Sequence, residues 1–103
     1  MVKKASSFEQ AVNNHDVIML LRVQKERINN IESIDFESYN SKYGFKKQHL
    51  RLMNSNAIIM HPGPFNRNIE IDSEIVDHHQ SVIFDQVANG VLIRQAILLK
   101  LLG

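Results

Sequence analysis

Residues 17–27 read VIMLLRVQKER, an unbroken apolar run of strand length that passes at once into clustered positive charge. Apolar runs without alternation are expected of strands in a parallel sheet covered on both faces. The pattern recurs in AIIMHPGPFNR, residues 57–67, where NAIIMHP supplies the second strand. About 35 residues separate the two strands, the length of a βαβ crossover, which is almost always right-handed. Working outward, SSFEQAVNN opens with Ser6 and has Glu9 three residues on, a capping-box spacing that predicts a short helix with Phe8 and Val12 on one face. Apolar residues at mixed spacings over 28–53, broken by Gly44, predict one or two helical pieces around 35–54.

The C-terminal stretch SVIFDQVANGVLIRQAILLKLLG is the strongest helix. Ile83, Val87, Val91, Ile97, Leu98 and Leu101 recur at helical steps, Ser81 is placed as N-cap, and Gly103 closes the end. A mid-helix glycine such as Gly90 costs about 1 kcal/mol relative to alanine, so it implies another backbone packing close to it. The fold class is α/β, a parallel-sheet part of a Rossmann-like domain in residues 1–80 followed by a long helix in 81–103. That helix needs more partner surface than two strands provide.

Composition limits the function. The chain has 103 residues with 44% hydrophobic content, so it is one small domain or part of a larger one. A net charge of +1 lacks the basic excess of a nucleic-acid binder, so any anion site is local. Without cysteine there is no disulfide, thiolate nucleophile or sulfur-ligated zinc, which fits a reducing cytoplasm. No apolar run is long enough for a membrane span, and MVKKASSFEQ lacks the apolar segment of a secretory signal, so a soluble cytoplasmic protein is expected.

Loops leaving the carboxyl ends of parallel strands gather at one edge of a sheet, where ligands bind. RVQKER and HPGPFNR are both such loops, so Arg22, Lys25, Arg27 and Arg67 can converge on one small anion, carboxylate or phosphate. Gln24 follows Arg22 by two and shares its side if the segment is extended. In HPGP the prolines remove N–H groups, leaving outward carbonyls for an amide or amine donor, and Gly63 permits close approach. Each residue also has a plainer reading. The charges of 22–27 form a solvated, ion-paired face as readily as a site. His61 after a strand reads as packed and hydrogen-bonded; His78 and His79 are half a metal set with no third ligand at helical spacing except Asp77, and adjacent side chains rarely chelate together. Ser73 and Ser81 read as caps, and no G-x-G-x-x-G follows either strand.

LLRVQKER, YNSKYGF, MHPGPFNRNIEI followed by Asp72, and SVIFDQVANGVLIRQA resemble, in order and spacing, the C-terminal third of aspartate carbamoyltransferase catalytic chains. The resemblance covers nearly everything from about residue 15 onward. It implies an aspartate-binding domain and transfer of a carbamoyl group from carbamoyl phosphate to L-aspartate in pyrimidine synthesis, without metal or organic cofactor. By position, Arg22 holds an aspartate carboxylate with Gln24 beside it and Arg27 in support, while the backbone at Pro62, Gly63 and Pro64 contacts the carbamoyl nitrogen. The ornithine enzymes of the family carry a cysteine in the turn after the second strand, and this chain has none. Neither the Ser-Thr-Arg-Thr phosphate turn nor the His-Pro-Thr-Gln segment of the family's N-terminal domain occurs here. The resemblance therefore implies part of a longer, homotrimeric catalytic chain, inactive by itself, whose residues 81–103 pack on the absent carbamoyl phosphate domain. The alternative is a truncated non-catalytic homologue acting as a binding or assembly module.

Overall fold

Two strands carry the architecture, β1 (Val17–Met19) and β2 (Ile58–Met60), paired in parallel with Val17 opposite Ile58, Ile18 opposite Ile59 and Met19 opposite Met60. The computed structural model describes residues 1–25 and 35–103. Pairing runs one residue beyond β1, since Leu20 N–H donates to Met60 at 2.9 Å. On its other side β2 is flanked by residues 80–82: Ile59 N–H donates to the Gln80 carbonyl and Val82 N–H to the Ile59 carbonyl.

The expectation that both faces of β1 are covered does not hold within this chain. Ile18 and Leu20 are buried, whereas Val17, Met19 and Leu21 on the alternate face are half or more exposed. A parallel strand is buried twice only when layers cover both sides of the sheet, and the described elements supply one.

On the covered side, α1 (Phe8–Val12) packs Val12 into the core and sets Phe8 edge-on to Phe45. Its cap lies one residue later than expected: Ser7, not Ser6, accepts from the Gln10 N–H, and Ser6 hydrogen-bonds the Gln10 side chain instead. The crossover contains α2 (Phe36–Tyr43) and a 3₁₀ helix (Lys47–Leu52), within the expectation of one or two helical pieces around 35–54. Asp35 caps α2 through the Glu37 N–H. Gly44 is required at its end because a Cβ there would collide with the Asn40 side chain and carbonyl.

Next come α3 (Ser73–Val76) and α4 (Ile83–Leu102). Ser73 is the first residue of α3 rather than its cap, which is Asp72. Likewise Ser81 does not cap α4; Val82 occupies that position, and the buried Ser81 hydroxyl makes no hydrogen bond among the described residues. The core joins Val12, Ile18, Leu20, Phe45, Ile59, Ile71, Ile75, Val76 and Ile83. Ile83 is thus a core residue, unlike the rest of the apolar stripe, in which Val87, Val91, Ile97, Leu98 and Leu101 remain 45–74% exposed. Among the described residues nothing lies within 4 Å of a Cβ built on Gly90, so the close backbone it implied is not among them.

Candidate functional site: two loops joined by a buried carboxylate

Both charged loops leave the carboxyl ends of β1 and β2, so parallel pairing alone brings Arg22 and His61 to one edge. The segment 65–71 then turns back beneath them. Asn68 adopts a left-handed φ of 61°, which asparagine tolerates, and its N–H donates to the Ile71 carbonyl at 2.7 Å. From α2, the Asn40 amide donates to the Ile69 carbonyl at 3.0 Å and to Asp72 at 3.1 Å, anchoring the turn from outside. This chain reversal points Glu70, flanked by buried Ile69 and Ile71, into the junction.

Glu70 is only 3% exposed and serves both loops. It accepts from the Asn66 N–H at 2.6 Å, from the Asn66 side-chain amide at 3.3 Å and from the Val23 N–H at 3.4 Å. The same Asn66 amide donates to the Val23 carbonyl at 3.0 Å. A buried carboxylate is tolerable only when donors replace its lost hydration, and three N–H groups do so here.

His61 is fully buried beside it, its Nε2 3.3 Å from Glu70 Oε1 but outside hydrogen-bond geometry. Its Nδ1 accepts from the Gly63 N–H at 2.9 Å, so the neutral ring carries its proton on Nε2, toward Glu70. Burial pushes the His61 pKa below the ordinary histidine value; Glu70 opposes the shift and the Arg22 charge adds to it. The plainer reading of His61 as a packed, hydrogen-bonded histidine fits this arrangement. From α4, the Gln86 side chain accepts from the His61 N–H at 2.9 Å.

The expected site residues distribute as follows. Arg22 is half-buried and close enough for its charge to act on His61, while Gln24 is exposed. Gly63 has a left-handed φ of 67°, the Gly63–Pro64 peptide is cis, and Pro62 and Pro64 face solvent. Arg27 lies outside the described residues. Lys25 sits 5.0 Å from the ring centroid of Phe36. Arg67 does not join the cluster: it stacks 5.4 Å from the Phe65 centroid and reaches Ser73 and Asp77 of the α3 region. No group of three metal-ligating side chains occurs among the described residues.

A groove of about 330 Å³ runs along the outer side of the HPGP turn, lined by Pro62, Gln86, Val87, Gly90, Val91 and Arg94. A larger hollow of about 390 Å³ lies instead between the N-terminal arm and α1 and touches neither loop. Sequence reasoning passed over Glu70, Asn66 and Gln86. The available signal was the triplet Ile69-Glu70-Ile71, a carboxylate held between two residues that belong in a core.

The family model for the aspartate/ornithine carbamoyltransferase Asp/Orn binding domain matches residues 2–101. The aspartate carbamoyltransferase catalytic subunit of Oenococcus oeni is 49% identical over 92 residues, covering 87% of this chain and 30% of that one. Ornithine carbamoyltransferase of Campylobacter jejuni shares the fold with a TM-score of 0.76 at 23% identity, over 94% of this chain and 32% of that one. Aspartate transcarbamoylase of Trypanosoma cruzi, solved with carbamoyl aspartate and phosphate, has a TM-score of 0.69 at 28% identity, over 91% of this chain and 28% of that one. The chain thus spans about 30% of the length of the curated relatives it matches. With the match running from residue 2 to residue 101, the chain belongs to the aspartate/ornithine carbamoyltransferase family as an Asp/Orn binding domain.

Proposed function

We propose that this chain is the aspartate-binding portion of an enzyme that moves the carbamoyl group from carbamoyl phosphate to L-aspartate, giving N-carbamoyl-L-aspartate and phosphate in cytoplasmic pyrimidine biosynthesis. The observation that carries the reading is the junction itself: Arg22 and Gln24 leave β1 beside the HPGP turn that leaves β2, and the two loops are hydrogen-bonded together through Glu70 and Asn66. Identity to relatives named for aspartate rather than ornithine supports the choice of acceptor.

In this assignment Arg22 pairs with an aspartate carboxylate through its guanidinium fork, with Gln24 as a neutral partner and Arg27 in support. The carbonyls of the Pro62-Gly63-Pro64 turn accept from the carbamoyl nitrogen. The aspartate amine attacks the carbamoyl carbon, a tetrahedral intermediate forms, and phosphate leaves; rate comes from juxtaposing two bound substrates and stabilising developing charge. The phosphate grip belongs to an N-terminal domain, against which residues 81–103 pack, and the complete chains assemble as trimers. The exposed stripe of α4 supports that packing.

The test is a chimera in which this segment replaces the matching residues of the Oenococcus oeni chain. Carbamoylation of L-aspartate in preference to L-ornithine is expected, and preference for L-ornithine would overturn the reading.

A further inference from the structure

We infer that Glu70 is a positioning residue for the aspartate subsite, setting the orientation of Arg22 and Gln24 without itself touching substrate. The inference rests on the function proposed above and deepens it.

Val23 lies between the two ligand-facing residues. Its N–H belongs to the peptide unit shared with Arg22 and its carbonyl to the unit shared with Gln24. Glu70 takes the N–H at 3.4 Å and Asn66 donates to the carbonyl at 3.0 Å, so both peptide planes flanking Val23 are held from one side. Asn66 is in turn held by Glu70 through its own N–H at 2.6 Å. One carboxylate, 47 residues from Val23 in sequence, therefore couples the 22–24 loop to the 61–66 turn. An ionised carboxylate is suited to this because it only accepts; a glutamine offers one oxygen and turns two hydrogens toward groups that are themselves donors.

The experiment uses the chimeric enzyme that carries this segment, with and without Glu70→Gln, read by amide hydrogen exchange and by the KM values for L-aspartate and carbamoyl phosphate. Exchange protection at Val23 and Asn66 should fall about tenfold or more. Affinity for L-aspartate, read as its KM, should fall about tenfold at a temperature where circular dichroism shows the variant folded, with the KM for carbamoyl phosphate changing far less, a split that a merely structural role does not produce. Asn66→Ala keeps Glu70 and carries the test if Glu70→Gln does not fold; it should act in the same direction, about threefold or more. Unchanged affinity in the folded variant overturns the inference while leaving the aspartate reading intact. Failure of the unsubstituted chimera to carbamoylate L-aspartate in preference to L-ornithine overturns the aspartate reading itself, and the inference with it.

Discussion

The loop junction, largely polar in sequence, and α4, largely apolar, end in opposite states. At the junction the buried carboxylate has its partners: Glu70 accepts three N–H groups, and His61 accepts one at Nδ1 and lies against the carboxylate with its Nε2 outside hydrogen-bond geometry. Along α4 the first turn is tied down by Ile83 and Gln86, and everything beyond is exposed. A buried carboxylate satisfied by its own chain needs no partner surface. An apolar stripe without cover is one side of an interface.

The largest effect separating the two regions is association. Five stripe residues at 45–74% exposure leave on the order of 10 kcal/mol of burial unrealised within this chain. The isolated chain should therefore sediment at micromolar concentration as a dimer or larger species, or be poorly folded, and Leu98→Glu should weaken the association. A well-folded monomer with a concentration-independent melting transition contradicts this. Single core changes come next. Ile71→Ala, at a fully buried position, should cost about 2–5 kcal/mol, whereas Leu99→Ala, 73% exposed on α4 and outside the stripe, should stay within about 0.5 kcal/mol. Equal losses in urea denaturation would erase the distinction between the regions.

A smaller effect comes from pH. Burial holds His49, His61 and His78 below the ordinary value of 6.5. The unfolded chain then takes up protons first as pH falls, so stability is full above about pH 6.5 and declines below it. Denaturation midpoints at about pH 7.5 and about pH 5.5 should differ in that direction, before the carboxylates Glu9 and Asp35, which are held low by hydrogen bonds, begin to protonate. A flat profile is incompatible with neutral, buried imidazoles.

Strands, crossover pieces and the long helix were legible in the sequence because each rests on local periodicity or on a loop length. The sheet edge was legible for the same reason, since two parallel strands place RVQKER and HPGP together whatever else happens. What escaped was the content of the junction. Glu70, Asn66 and Gln86 reach Val23 and His61 across long sequence separations, and no periodicity encodes such a hydrogen bond. Arg67 looked like a fourth cation of the cluster, but the left-handed turn at Asn68 carries it toward α3. The caps at Ser6 and Ser81 each failed by one residue, where competing hydroxyls and backbone geometry decide the start of a helix.

The account stands most directly on Arg22. On the proposed assignment, Arg22→Ala in the chimeric enzyme carrying this segment removes one member of a partly buried charge pair with the substrate. The KM for L-aspartate should rise by the equivalent of about 2–4 kcal/mol, roughly 30- to 1,000-fold, with the KM for carbamoyl phosphate changing far less. An unchanged KM for L-aspartate would contradict the assignment of the junction as the aspartate site.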